Sequence, residues 1–252
     1  PGATASERLR PVKHDSLGAL SGWWTWALAV ALLSMAACRE GPGAPVVVAA
    51  ERSAPAAPRK ALDADRQWGS WRGPDGTGVA PHGAPPLSWS ESENVAWKVP
   101  VDGLGHSTPV VWGDRVFLTT AIAHGGTLER RVPERPGAHH NLEPDRQMRF
   151  QAWALSKQSG EVLWKRTLRD EQPHEGTHDT GSWASASCAT DGEVVVVPFG
   201  SRGLYTLDME GNLLWSRSLG EMHTKHGHGE GSSPLLAGDL VVTQWDHEGG
   251  SF

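Results

Sequence analysis

Residues 154–166 read ALSKQSGEVLWKR, and residues 206–217 read TLDMEGNLLWSR. Both stretches contain a short apolar run, a polar turn with a glycine, and a second apolar run with a tryptophan. The turn of the second stretch is one residue shorter. Because glycine readily adopts the positive φ of a tight connection, each stretch predicts a β-hairpin. Their recurrence indicates stacked repeats of one supersecondary unit.

A second hairpin pattern alternates with the first. Each copy has a small-residue entry, a short strand, a Gly-Asp or Asp-Gly turn and a strand rich in valine, and the copies span residues 107–118, 185–197 and 232–243. The run Val194–Val197 is apolar at consecutive positions, which is typical of a strand buried on both faces. Two alternating hairpins make a four-stranded unit. The sequence therefore predicts an all-β fold, a β-propeller of four-stranded antiparallel blades.

The predicted propeller domain covers residues 67–252, with a polar inserted loop at residues 123–149. Its hairpins amount to about two and a half blades, whereas a propeller closes its ring with about four to eight. The sequence therefore predicts an incomplete fragment of a propeller.

Residues 1–38 have the pattern of an export signal. Basic residues precede an apolar run from Leu17 to Ala37, and Cys38 follows directly. The tetrapeptide at 35–38, Met-Ala-Ala-Cys, resembles a bacterial lipobox, whose cysteine carries the lipid anchor. We therefore predict a signal peptide or lipoprotein signal, with lipidation at Cys38 and a periplasmic or outer-membrane location. A plain cleaved signal and a single-span membrane anchor are the alternatives. Residues 39–66 predict a flexible tether, because they are rich in Ala, Pro and Gly.

The composition limits the choice of partners. The chain has 252 residues, a formal net charge of -6, 30 Gly and 13 Trp. Because no basic stripe is present, we exclude nucleic acid as a partner. The tryptophan excess indicates that one aromatic position is used repeatedly. Cys188 lies in a predicted strand, where a small buried apolar role is expected.

The first repeat resembles the docking motif Ala-x-Asp-x-x-Thr-Gly-x-x-x-Trp of the PQQ-like β-propeller repeat proteins, which include BamB-like lipoproteins and quinoprotein alcohol dehydrogenases. Gly160 and Trp164 match this motif, while Ser156 and Ser159 replace its Asp and Thr. The segment WGSWRGPDGTGVAP, from Trp68, is also similar to the opening motif of many secreted bacterial members. The resemblance implies the propeller fold and leaves the activity open.

The second repeat matches the motif at Asp208, Gly211 and Trp215, and Trp97 takes the Trp position in an earlier partial copy. A large indole on an outer strand can pack over the next blade and donate its ring N–H to that blade's backbone. The resemblance therefore implies blade docking by six residues: Trp97, Gly160, Trp164, Asp208, Gly211 and Trp215.

Quinoprotein dehydrogenases hold PQQ over a bound Ca²⁺, often beside a vicinal disulfide. This sequence has no Cys-Cys pair and no recognisable set of Ca²⁺ ligands. We therefore predict no catalytic residue, no cofactor and no metal ligand. Asp179, Asp191 and Asp239 are candidate bases, and we interpret Asp191 and Asp239 as turn formers.

Histidines cluster in the glycine-rich loops of the predicted propeller, at His174, His178 and residues 223–228. Imidazole suits Zn²⁺ or Cu²⁺, so a metal site is conceivable. With no second-shell partner visible in the sequence, we interpret these histidines as solvated loop residues.

The function hypothesis rests on the family resemblance. It describes an exported, non-catalytic propeller that binds protein partners at the cell envelope, with outer-membrane protein assembly as the suggested role. The partners are not identified by the sequence, and a lipid anchor would attach the protein to the membrane. The alternatives are a PQQ-dependent dehydrogenase and a sensor or ligand-binding propeller of a larger chain.

Overall fold

The structure is a computed structural model that describes residues 48–49 and 64–251. These residues belong to one compact unit, 40–252. Among the described residues the helices are two 3₁₀ turns, Ala64–Arg66 and Gly200–Arg202. Within the described residues, no helix is long and apolar enough to cross a membrane. The predicted signal and Cys38 lie outside these residues.

The rest of the described part of the chain consists of short and medium β-strands joined by turns and loops. In chain order the strands are β1 Val48–Ala49, β2 Val110–Trp112, β3 Arg115–His124, β4 Asn141–Leu142, β5 Gln147–Ser156, β6 Val162–Glu171, β7 Thr177–His178, β8 Ala189–Thr190, β9 Val194–Pro198, β10 Leu204–Asp208, β11 Leu213–Arg217, β12 Leu235–Ala237 and β13 Leu240–Val242. This nearly all-β content confirms the predicted fold class.

The first blade is a four-stranded antiparallel sheet in the order β2-β3-β5-β6. Strands β3 and β5 pair along ten residues, from Arg115 opposite Ser156 to His124 opposite Gln147. The C-terminal half of β5, residues 152–156, is buried on both faces, whereas most of β6 is exposed or half-buried. The outer strand of the blade is therefore β6, and β5 supplies much of its core.

The second blade has the order β8-β9-β10-β11, as the sequence predicts for its two hairpins. In β9, the side chains of Val195 and Val197 pack in a cluster with Phe117 of the first blade. Val196 packs in a different cluster with Val241 of the following sheet. Neighbouring valines thus point to opposite faces, and both faces are covered. This confirms the interpretation of the consecutive apolar run.

The third sheet contains the hairpin β12-β13 and a third strand, β1. Strand β1 pairs antiparallel with β13, with Val48 opposite Val241 and Ala49 opposite Leu240. These two residues belong to the segment predicted as a tether.

The predicted insertion is partly strand. Residues 123–124 end β3 and residues 147–149 begin β5, so the irregular connection runs from 125 to 146. Within it, β4 pairs with β7, the short strand after the first blade. This pairing attaches the insertion to the connection between the two blades.

Consecutive antiparallel strands place successive connections at opposite ends of a sheet. The β3–β5 and β9–β10 connections therefore leave the same end as the connections between sheets. We call this end the loop face, formed by residues 125–146, 172–188, 199–203 and 218–234. The opposite end, the turn face, carries the tight turns of the hairpins.

Candidate functional site

Trp164 on the outer strand of the first blade contacts the turn of the second blade. Its indole Nε1 donates a hydrogen bond of 3.0 Å to the carbonyl oxygen of Met209. Gly211 in that turn has φ +83°, and a Cβ added there would lie 2.7 Å from indole Cδ2. The indole therefore lies directly against the glycine, with no room for a side chain.

Trp97 makes the same contact with the first blade. Its Nε1 donates to the carbonyl oxygen of Lys157 at 2.9 Å, and a Cβ on Gly160 would lie 2.7 Å from its Cδ2. In both hairpins the acceptor is the residue that follows the inner strand of the hairpin. The contact is therefore preserved although the second turn is one residue shorter.

The other two predicted docking residues have different surroundings. Asp208 stabilises its own turn, because its carboxylate accepts hydrogen bonds from the amides of Glu210 (3.0 Å) and Asn212 (2.8 Å). The half-buried Trp215 packs on the cluster that contains Val196 and Val241. Trp215 thus lies where the second and third sheets pack against each other.

Two arginines that the sequence does not predict as docking residues reinforce the same contact. The guanidinium of Arg115 donates to the carbonyl oxygen of Met209 and, at 3.2 Å, to Glu210 Oε1. Arg166 Nε donates to the carbonyl oxygen of Gly211 at 2.8 Å. Both belong to the first blade, so the second turn accepts three side chains from its neighbour. In the sequence, Arg166 stands two residues after Trp164 and Arg115 stands at the start of β3. Neither position indicates that the arginine contacts the second turn.

A separate series of hydrogen bonds joins the entries of the blades. Ser187 Oγ accepts from the amide of Thr108 at 2.8 Å, and Ser233 Oγ accepts from the amide of Ser187 at 2.9 Å. Each entry therefore donates its backbone N–H to a serine of the next. This repeated contact supports the interpretation of residues 232–234, Ser-Ser-Pro, as the small-residue entry of the third copy.

The loop face contains a buried ion pair between Arg202 and Glu230, 2.8 Å apart, with side chains 3% and 10% exposed. Ser201 donates to the same carboxylate from both its amide and its hydroxyl, each at 2.6 Å. The pair ties the β9–β10 connection to the segment before β12. Because a buried charge requires such compensation, these partners make the arrangement stable.

A second ion pair joins Glu175 to Arg135 of the insertion, with Arg135 Nε 3.1 Å from Glu175 Oε1. Thr224 donates its amide to Oε2 at 3.1 Å, and His223 Nδ1 lies 3.0 Å from Oε1. Burial alone would raise the pKa of the Glu175 carboxyl. The hydrogen bonds from Arg135, Thr224 and His223 outweigh that effect and lower its pKa. Glu175 is therefore held as a carboxylate.

His174 links the two ion pairs. It is 2% exposed, its Nε2 lies 2.6 Å from the carbonyl oxygen of Met222, and Arg202 Nη2 lies 3.3 Å from its Nδ1. The interpretation of this histidine as a solvated loop residue is wrong. The physical reason is that the β9–β10 connection and the connection after β11 supply partners for both ring nitrogens.

The described residues contain one group of three potential ligands whose donor atoms all lie within 4.8 Å of one another, namely His174, Glu175 and His223. The atoms that would bind a metal already have contacts within the protein. Arg135 contacts both Glu175 and His223 Nδ1, and a cation cannot share this space with a guanidinium. The group is therefore a structural ion-pair network, and it does not fit a metal ion. It borders a pocket lined by Trp183, Phe199, Leu219, Met222 and Trp245.

The family model for the outer membrane protein assembly factor BamB matches residues 74–251. The chain belongs to this family. Its blades are thus those of a PQQ-like repeat, quinoprotein-like β-propeller protein, as the sequence resemblance implies.

Solved structures similar to this BamB-family chain include BamB from Moraxella catarrhalis, with 15% identity and a TM-score of 0.35. That match covers 62% of this chain and 41% of the other, so the chain spans about two fifths of that structure's length. A europium-containing methanol dehydrogenase is also similar, with 15% identity, a TM-score of 0.24, and coverage of 53% of this chain and 27% of that one. No curated protein matches the chain significantly. The family membership rests on the match over residues 74–251.

Asp191 and Cys188, two further residues that the sequence singles out, have structural roles. The Asp191 carboxylate accepts from the amides of Glu193 (2.9 Å) and Val194 (3.0 Å), as expected of a turn former. Cys188 is 1% exposed, and burial raises the pKa of its thiol to about 12. Its small buried role in this BamB-family chain agrees with the sequence-based expectation, because a thiol with such a pKa is a poor nucleophile.

Proposed function

We propose that the chain belongs to an exported, non-catalytic propeller that binds protein partners at the cell envelope through its loop face, in the assembly of outer-membrane proteins. The observation that carries this proposal is the engagement of Glu175 by Arg135, Thr224 and His223. A carboxylate with a lowered pKa and a full set of donors is a poor general base. It is well suited to hold a surface in one shape.

The loop face is assembled from segments that lie far apart in sequence. The Arg135–Glu175 pair joins the insertion to the connection after the first blade, and Arg202–Glu230 joins the second blade to the connection after it. A surface ordered before binding loses less conformational entropy when a partner docks. This rigidity favours the scaffold role.

The PQQ-dependent alternative needs a cationic seat for a tricarboxylate cofactor. Arg202 lines the pocket and Arg135 contacts Glu175 in its wall, and the charges of the two arginines are compensated by Glu230 and Glu175. These pairs favour the scaffold role over cofactor binding.

The test is photo-crosslinking of the full-length protein in cells. A photoreactive phenylalanine replaces Lys225 on the loop face, or Lys157 on the turn face as the matched control, since both lysines are exposed. We expect crosslinks from position 225 to components of the outer-membrane assembly machinery, and few from position 157. Equal labelling from both positions would contradict the use of the loop face. PQQ-dependent alcohol oxidation by the reconstituted protein would overturn the non-catalytic role.

The location of the protein is part of the same proposal. The lipidation of Cys38 lies outside the described residues and rests on the signal pattern alone. A lipid anchor would place the propeller at a membrane surface, where an assembly partner resides.

A further inference from the structure

Five imidazoles converge on the loop face from three segments: His139 and His140 of the insertion, His178 of β7, and His226 and His228 of the loop before β12. Around His228, ring centroids lie 4.7 Å from His139, 5.0 Å from His178 and 5.4 Å from His226. His139 and His178 are 5.8 Å apart. Histidines of different segments lie 38 (178 − 140) to 89 (228 − 139) residues apart in sequence, so only the folded chain gathers them.

We propose that four of these imidazoles, those of His139, His178, His226 and His228, bind one divalent transition-metal ion. The first candidate for this ion is Zn²⁺. The proposal departs from the interpretation of these histidines as solvated loop residues. It does not depend on the proposed partner binding, because the ligands and their geometry are independent of any partner.

The spacing of the rings agrees with a tetrahedral imidazole site. With a Zn–N bond of about 2.1 Å, each ring centroid lies about 3 Å from the metal, and two centroids lie about 5 Å apart. The three distances from His228 span this value. The rings of His139, His178 and His226 therefore each lie at about the separation from His228 that a shared ion requires.

The hydrogen bonds of the rings leave the right nitrogens available. His139 Nδ1 lies 3.0 Å from the carbonyl oxygen of Gly137, and His226 Nδ1 lies 3.2 Å from that of Pro136. When Nδ1–H donates to a backbone carbonyl, Nε2 keeps the lone pair that binds a metal. Both histidines thus have the outer-shell partner that orients a metal ligand.

His178 and His228 complete the set. His178 Nδ1 lies 2.8 Å from Thr180 Oγ1 and accepts from the Thr180 amide at 3.3 Å, and Asp179 Oδ1 lies 3.2 Å away. The tautomer that donates from Nδ1 to Thr180 Oγ1 is the one that presents Nε2 to a metal, so this ring takes that tautomer when it binds an ion. His228 Nε2 is buried and has no hydrogen-bond partner among the described residues. A buried polar nitrogen without a partner requires explanation, and a metal ion would supply the missing bond.

Metal binding requires a local adjustment of the side chains. No three Nε2 atoms of the cluster yet lie within 4.8 Å of one another, so the rings must turn about χ1 and χ2. The backbone carbonyls of His226, Gly227 and His228 accept hydrogen bonds from Asn141 and His178, so the adjustment falls on the side chains.

The experiment uses the full chain, freed of metal by chelation and titrated with Zn²⁺ in a calorimeter. Co²⁺ serves as a spectroscopic probe, because its visible absorption reports tetrahedral coordination. We expect one ion per chain, and at least tenfold weaker binding in His228→Ala and in His139→Ala. Cu²⁺ and Ni²⁺ titrations identify the preferred ion.

Two control variants separate the site from other histidines. His82→Ala removes an exposed imidazole that pairs with Asp65, and His223→Ala disrupts the group formed with His174 and Glu175. Neither should change Zn²⁺ affinity. Absence of stoichiometric binding would overturn the proposal, and so would binding that His223→Ala abolishes and His228→Ala leaves intact. His228→Gln, with a thermal melt of each variant, keeps the test valid if the alanine variant unfolds.

Discussion

The indole of Trp164 lies on the backbone of Gly211, a residue of the neighbouring blade 47 positions away along the chain. The contact has two parts, the hydrogen bond to Met209 and the close approach to Gly211. Trp97 repeats both parts at Lys157 and Gly160. Successive hairpins therefore use one contact geometry, and the glycine is as necessary to it as the tryptophan.

Gly211→Ala should destabilise the protein by more than its backbone strain alone. The positive φ costs about 1–2 kcal/mol for a non-glycine residue, and the clash with the indole adds about 1–3 kcal/mol. Denaturant unfolding measures the sum. Gly125→Ala is the matched control, because Gly125 has φ +76° with nothing within 4 Å of its added Cβ. Equal losses in the two variants would contradict the close packing of Trp164.

Arg202→Met should cost about 3–5 kcal/mol of unfolding free energy, because it leaves the Glu230 carboxylate buried without its partner. The control is Lys98→Met, which removes an exposed ion pair with Glu91, where the side chains are 76% and 87% exposed. Exposed pairs contribute about 0–1 kcal/mol. A double variant, Arg202→Met with Glu230→Gln, should lose less than the sum of the single changes. Strict additivity would show that the two groups do not interact.

The ion pair of Glu175 predicts a pH dependence of stability. The pKa of this carboxyl is lowered in the folded protein from its ordinary value of 4.5. Its contribution to stability is therefore present above about pH 4.5 and is lost as the pH falls through the lower folded pKa. Glu175→Gln should be less stable than the wild type at neutral pH, and the difference should shrink in acid. Denaturant titrations from pH 7 to pH 3 measure this. Glu129→Gln, at an exposed position of the insertion, should show no such pH-dependent difference.

Cys188 should resist thiol reagents at neutral pH until the protein unfolds. Burial raises the pKa of its thiol to about 12, so almost no thiolate is present. Labelling by a disulfide reagent in the Cys38→Ala variant, with and without denaturant, isolates this one thiol. Rapid stoichiometric labelling of the native protein would contradict the buried environment.

Cys38 should carry a lipid anchor in an expressing bacterium. Globomycin is expected to cause the unprocessed form to accumulate, and Cys38→Ala should abolish incorporation of labelled palmitate. Serine at position 34 provides a neutral control, since Ser34→Ala leaves the cysteine in place. A wild-type protein without palmitate would favour a plain signal or a membrane anchor.

Much of the fold could be predicted because the relevant patterns are short. The Asp-Gly turn at 191–192 and the valines that follow it specify a strand–turn–strand unit within a few residues. The alternate packing of Val196 and Val197 on two neighbours follows from the pleat of a strand. The repeat of the tryptophan hairpin then indicated how these units stack.

The sequence by itself determined the hairpins, their repetition and the glycines that the turns require, because those features depend on neighbours within about ten residues. Only the tertiary structure decided that Arg135 meets Glu175, that Arg202 meets Glu230, and that His174 is buried. Those partners come from different blades and from the insertion, and loops carry no periodic pattern that encodes their contacts. The stacking of the blades brings the loop ends together, and charge and hydrogen bonding then select the pairs.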